Sequence, residues 1–116
     1  MRNDTDNVIV NKSFQFALDI VEFCELLEEN KKFIVAKQLL RAGTAIGASI
    51  REAQNAESKA DFIHKLKIAA KEADEAEYWL MICKCSKNYP FNDSLLESVK
   101  EIIKILSKII STSKNN

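Results

Sequence analysis

Apolar residues recur in alternating steps of four and three along four stretches of the chain, the spacing that keeps side chains on one face of a helix. In the first stretch Phe16, Ile20, Phe23 and Leu27 form a seam, with Phe14, Leu18 and Val21 as a second stripe beside it, which predicts a helix over about 12–29. The second, over about 33–56, carries Val35, Leu39, Ala42, Ile46, Ser49 and Ala53, widened by Ala36, Gly43 and Ile50. In the third, ending near 87, Phe62, Leu66, Ala69, Ala73, Ala76, Leu80 and Cys83 make a heptad seam whose alanine middle lets a partner helix come close. Leu95, Val99, Ile102, Leu106 and Ile109 form the fourth, flanked by Leu96, Ile103 and Ile110.

The breaks between stretches carry helix-end signals. Ser58 with Asp61 three residues on is a capping-box-like start for the third helix. Pro90 closes that helix, and Asn92, Asp93 and Ser94 can each cap the fourth, Ser94 pairing with Glu97 as a capping box. Loops this short force neighbouring helices to run antiparallel. The reading is an all-α, antiparallel up-down-up-down left-handed four-helix bundle over 12–112, a flexible segment at 1–11 and a frayed tail at 113–116. Gly43 and Gly47 leave one stripe of the second helix without bulk. Each costs about 1 kcal/mol against alanine in a helix, so the pair points to a close helix crossing as the offset.

The apolar arcs are wider than a four-helix interior consumes. Phe14, Leu18, Val21, Tyr78 and Trp79 would face water on a monomer, so they are expected at a subunit interface.

Composition supports a helical, single-domain chain. In 116 residues there are 2 Gly and 1 Pro, too few turn residues for a sheet-rich fold. The 17 basic and 17 acidic residues cancel, which removes any global pull toward nucleic acid or anionic membrane. The N-terminus MRNDTDNVIV lacks a signal-peptide core, and no apolar run approaches the roughly 20 residues that span a bilayer. An odd count of 3 cysteines without framework spacing suits a reducing compartment, so the expectation is a cytoplasmic protein that does not enter a membrane.

No catalytic, metal or cofactor site is expected. A di-iron bundle needs two Glu-x-x-His pairs, and His64, three residues after Asp61, is the single histidine. Cys83 and Cys85 are two apart on a helix and point about 200° from each other, so Cys83 reads as core, as does Cys24. Nothing pairs His64 with a nucleophile, and the run Glu72, Asp74, Glu75, Glu77 reads as a solvated face.

Charge is nevertheless polarised. Asp19, Glu22, Glu25, Glu28 and Glu29 make the first helix acidic. Lys59, Lys65, Lys67 and Lys71 cluster on the third, beside Arg41 and Arg51 on the second, and Lys100, Lys104 and Lys108 stripe the fourth. Repeated around an oligomer, Arg41, Arg51, Lys59, Lys65, Lys67 and Lys71 would form a multivalent surface for RNA or DNA. The plainer reading is salt bridging, with Asp61–Lys65 and Lys71–Glu75 both spaced i,i+4. A second function class stays open beside the first: a protein–protein adaptor working through Tyr78 and Trp79.

Gln38-Leu39-Leu40-Arg41-Ala42, Thr44-Ala45-Ile46 and Ala48-Ser49-Ile50-Arg51-Glu52-Ala53, with Asp61-Phe62-Ile63, Leu66-Lys67-Ile68-Ala69, Glu75, Ala76, Glu77 and Leu80, carry a family likeness. They resemble the four-helix-bundle family named for proteins encoded in intervening sequences of bacterial 23S ribosomal RNA genes. Members often have Gly in place of Ala53 and Ala in place of Gly43. The resemblance implies a cytosolic bacterial protein, a left-handed bundle and a ring-shaped homopentamer. The chain is also similar to the accessory variability determinant of diversity-generating retroelements, a strongly basic bundle that binds nucleic acid and a reverse transcriptase. The resemblance brings no active site with it.

Overall fold

The computed structural model of the protein describes residues 4–115. Four helices follow one another: α1 (Asp4–Glu29), α2 (Phe33–Ala53), α3 (Lys59–Cys85) and α4 (Asp93–Lys114). Each packs against two others, α1 on α2 and α4, α3 on α2 and α4, so the four stand as a square 48 Å long and 20 Å across. Cross-helix contacts show the alternation of direction. Gly43 meets Ile20 and Gly47 meets Ser13. Arg41 reaches Glu75 while Glu52 reaches Lys65, Lys84 reaches Asp93, and Lys12 reaches Glu101. Between α1 and α2, and between α2 and α3, one number rises as the other falls, which is an antiparallel neighbour.

The heptad seams become the core. Phe16, Ile20, Phe23, Leu27, Leu39, Ala42, Ile46, Leu66, Ala69, Ala73, Ala76, Leu80, Val99, Ile102 and Leu106 are all buried in one cluster. Burial of a large aliphatic or aromatic side chain stabilises by about 1.5–3 kcal/mol, so this column is what holds the four helices together. Gly43 shows why α1 and α2 come so close: a Cβ there would lie 2.9 Å from Cγ2 of the fully buried Ile20. At Gly47 the added carbon would meet the Ser13 carbonyl at 3.4 Å, an ordinary contact. The two glycines are therefore not equivalent; only Gly43 is required by the crossing.

Several boundaries differ from the sequence reading. Helix α1 begins at Asp4, not near 12, so 4–11 is helical where a flexible segment is expected. The reason is Ile9, one heptad before Phe16 and fully buried, which extends the seam by two turns. Residues 1–3 of that expected segment, and Asn116 of the expected tail, lie outside the described residues. Helix α2 stops at Ala53, α3 at Cys85, and α4 continues to Lys114, past the start of the expected fraying. Ser58 caps α3, its hydroxyl accepting from the Asp61 amide at 3.0 Å, while Asp61 in return accepts from the Glu57 amide at 3.1 Å. Asn92 is the N-cap of α4, its side-chain oxygen accepting from the Ser94 amide at 2.9 Å. The chain leaves α1 through Lys31 at φ 64°, with the Lys32 amide returning to the Leu27 carbonyl at 2.8 Å.

Candidate interaction surface

Several large apolar residues flank the seam where Gly43 meets Ile20 and stand on its outer edge, because their positions on the helix are offset from the buried stripe. On α1 they are Phe14, Leu18 and Val21, exposed by 54%, 48% and 42%. Across the seam on α2 stand Phe33, 58% exposed, and Leu40. Two shallow grooves run end to end between the rows. One, of about 460 Å³, is lined by Val10, Phe14, Ala17, Thr44, Ala48 and Arg51. The other, of about 430 Å³, has Cys24 and Ala36 beside Val21, Phe33 and Leu40, with Glu25, Glu28 and Lys37 on its rim. An apolar strip this long on one face of a small domain is the usual mark of a protein contact. Phe33 and Leu40 are not picked out by the seam reading. The signal was present: 33, 40 and 47 are seven apart and form a stripe beside the seam, ending in glycine.

Tyr78 and Trp79, taken together in the sequence, part company in the structure. Tyr78 is 61% exposed. Trp79 packs against the core, and its indole N–H donates to Glu75 at 3.1 Å. The rings meet edge to face with centroids 5.6 Å apart.

The six residues grouped as a basic patch are spread over several faces. Arg41 sits on the outer edge of the α2–α3 seam, bonded to Glu75 and, at 3.3 Å, to Glu72. That contact, together with the Trp79 indole, holds the Glu75 carboxyl below the usual range, and it raises the Arg41 guanidinium above its own. Lys65 lies on the same seam between Asp61 at 3.8 Å and Glu52 at 3.9 Å. Arg51 belongs to the other side of α2, in the groove with Phe14. Lys59 is the exposed first residue of α3. Lys67 turns toward α4 and meets Lys114; the contact between the two amines, with their mutual repulsion, holds Lys67 below the usual lysine range. Lys71 is exposed one turn further along α3. The expected pair Asp61–Lys65 forms, whereas Glu75 goes to Arg41 across the seam and not to Lys71. In a hairpin of two helices turning near residue 57, facing positions have numbers summing to about twice that value. That sum was readable in the sequence and pairs Arg41 with Glu75.

Among the described residues, the buried titratable groups are the thiols of Cys24 and Cys83. Burial, then Cys83, then Glu28 push Cys24 up to about 12, and burial pushes Cys83 up to about 11. Cys85 is exposed, so Cys83 and Cys85 do point apart. His64 is exposed, and Asp61 is engaged by the α3 cap and Lys65. Among the described residues no three His, Cys, Asp or Glu side chains gather as a metal site. No described helix is long and apolar enough to cross a membrane.

Comparison with known proteins agrees with this architecture. The sequence profile of the 23S rRNA-intervening sequence protein family matches residues 5–111. A crystal structure at 1.70 Å of a protein with unknown function, from the S23 ribosomal protein family of Bacteroides thetaiotaomicron VPI-5482, superposes with a TM-score of 0.86. It is 46% identical, over 92% of this chain and 98% of that one. No curated protein matches the chain.

Proposed function

The chain belongs to the 23S rRNA-intervening sequence protein family, and from that premise we propose that it is a non-enzymatic, self-assembling cytoplasmic scaffold whose subunits meet through the α1–α2 face. The observation that carries this reading is the apolar strip of Phe14, Leu18, Val21, Phe33 and Leu40 left exposed beside the α1–α2 seam. A subunit number of five, arranged as a ring, comes from the family resemblance. Three free thiols are in keeping with a reducing compartment. The test is the Phe14→Glu/Leu40→Glu double variant, with helicity followed by circular dichroism and mass by light scattering. A folded protein with a single-chain mass supports the assembly face. A variant that keeps the wild-type assembly mass rejects it.

A second reading is favoured by one contact. Lys67 and Lys114 are close enough across the α3–α4 side for their charges to repel, Lys71 is exposed one turn along α3, and exposed like charges grouped in this way attract a polyanion. RNA or DNA would be bound there by its phosphates. Lys67→Gln/Lys71→Gln/Lys114→Gln should lower affinity for a structured RNA and flatten its salt dependence. Unchanged binding would remove this role from these lysines and leave the scaffold to contact proteins alone.

A further inference from the structure

A third groove, of about 540 Å³, opens on the α4 side of α1. Lys12 meets Glu101 across these two helices, while residues 19–29 and 92–95 share the groove, so the last turns of α1 stand beside the start of α4. Phe23, Leu26 and Leu95 give the groove apolar surface, Leu26 being 42% exposed. Asp19, Glu22, Glu25 and Glu29 give it acidic walls. We propose that this groove is a docking site for a basic, amphipathic segment of a different protein, whose arginines or lysines meet the carboxylates while an apolar side chain covers Leu26.

The four carboxylates are placed against the stability of their own helix. Each stands three or four positions from the next, where like charges repel. Glu29 closes α1, and no basic residue stands in that last turn. The carbonyl end of a helix carries partial negative charge and favours cations, so acids gathered toward it add to the cost. None of the four forms an ion pair among the described residues; Asp19 accepts from the Gln15 amide at 3.1 Å. The amino end of α4, which would favour an anion, is answered within the chain by the Asn92 cap and by Asp93 in its first turn. A cation entering the groove relieves the repulsion, and the concave walls strengthen its attraction. The apolar surface adds a second requirement that a bare cation does not meet. Arginine and lysine have apolar stems, and a neighbouring apolar residue can lie on Leu26. From Asp19 to Glu29 the row is about 15 Å long, which suits basic residues on one face of a partner helix of about three turns. Helix α4 of a second copy offers lysines at four-residue spacing, Lys100, Lys104 and Lys108, but its apolar face is buried in its own bundle. It would bring charge without the apolar contact, so the occupant is a different protein. Complementary potentials then fix that partner and its orientation.

The test uses the full chain and labelled synthetic peptides of about four helical turns, read by fluorescence anisotropy. One peptide carries arginines along one helical face with leucines beside them. A second has the same composition in scrambled order, and a third has glutamate in place of each arginine. The patterned peptide should bind about tenfold more tightly than the scrambled one, and the acidic one should not bind. Glu22→Gln/Glu29→Gln should weaken the patterned peptide by about tenfold, and Leu26→Ser by about threefold. Asp74→Asn/Glu77→Gln, the same change of net charge on α3, should leave it unchanged. Circular dichroism checks that each variant keeps its helices. No binding of the patterned peptide, equal binding of the scrambled one, or an equal loss from the α3 variant overturns the inference. Spermidine binding as tightly as the patterned peptide would make the groove a site for small cations and overturns it too. A native mass altered by Glu22→Gln/Glu29→Gln alone would give the groove to a contact between copies, which also overturns it. The α1–α2 proposal stands or falls separately, on Phe14→Glu/Leu40→Glu.

Discussion

The two seams of α2 are finished in opposite ways. Toward α3, polar groups line the outer edge: Arg41 bridges Glu72 and Glu75, Trp79 donates to Glu75, and Lys65 spans Glu52 and Asp61. Water can lie against that edge at little cost. Toward α1 the seam is closed by Gly43 on Ile20, yet its outer edge is Phe14, Val21, Phe33 and Leu40. Exposed ion pairs contribute about 0–1 kcal/mol each, so the α2–α3 edge adds little stability. What it does is end the apolar surface. Along the α1–α2 edge no ion pair among the described residues closes the apolar strip, and that contrast, rather than any single exposed side chain, is what supports the proposal that a partner covers it.

The comparison can be broken most severely at the crossing. Gly43→Leu forces a side chain into the fully buried Ile20 and should cost on the order of 3 kcal/mol, read as a lower urea midpoint. Gly47→Ala should be neutral or raise stability by up to about 1 kcal/mol, because its new carbon meets only ordinary contact. Equal effects at the two glycines would contradict the crossing geometry. Next in size is a pH effect from the core beside the seam. The thiols of Cys24 and Cys83 titrate near 12 and 11 when folded against 9.0 ordinarily. Their folded values are raised, so their contribution is fully present below pH 9 and is lost as pH rises toward 11–12. Urea midpoints should therefore fall above pH 9, and fall less in Cys24→Ala/Cys83→Ala relative to its own value at pH 7. An identical alkaline slope in that variant would assign the effect elsewhere. Smallest is the polar edge: Arg41→Met should lower the midpoint only slightly, by an amount that shrinks with added salt, and leave assembly mass unchanged. Dissociation by Arg41→Met would place the subunit contact on the wrong seam.

Most of the fold was legible because heptad spacing is a one-dimensional record of a buried face. Phe16, Ile20, Leu39, Leu66, Ala73, Val99 and Leu106 lie where their spacing puts them. The early start of α1 was missed because the polar residues around Val8-Ile9-Val10 mask a short apolar triplet whose centre continues the seam. The basic patch was less legible for a physical reason. Residues close in sequence or on adjoining helices share a patch only if they share a face, and a helix rotates each step by about 100°. Arg41 and Arg51, ten residues apart, end on opposite seams of α2. Tyr78 and Trp79, adjacent in sequence, separate into an exposed ring and a packed one for the same reason. The α1 stripe of Phe14, Leu18 and Val21 could be seen from spacing; its counterpart of Phe33 and Leu40 needed the glycine crossing to bring the two rows side by side.

The most direct measurement is the native mass of the wild-type protein in solution across a dilution series. A self-assembling bundle should show a defined mass several times the 13.2 kDa of one chain, five times if the ring implied by the resemblance forms. A single-chain mass at every concentration would contradict it and leave the α1–α2 face to a different protein.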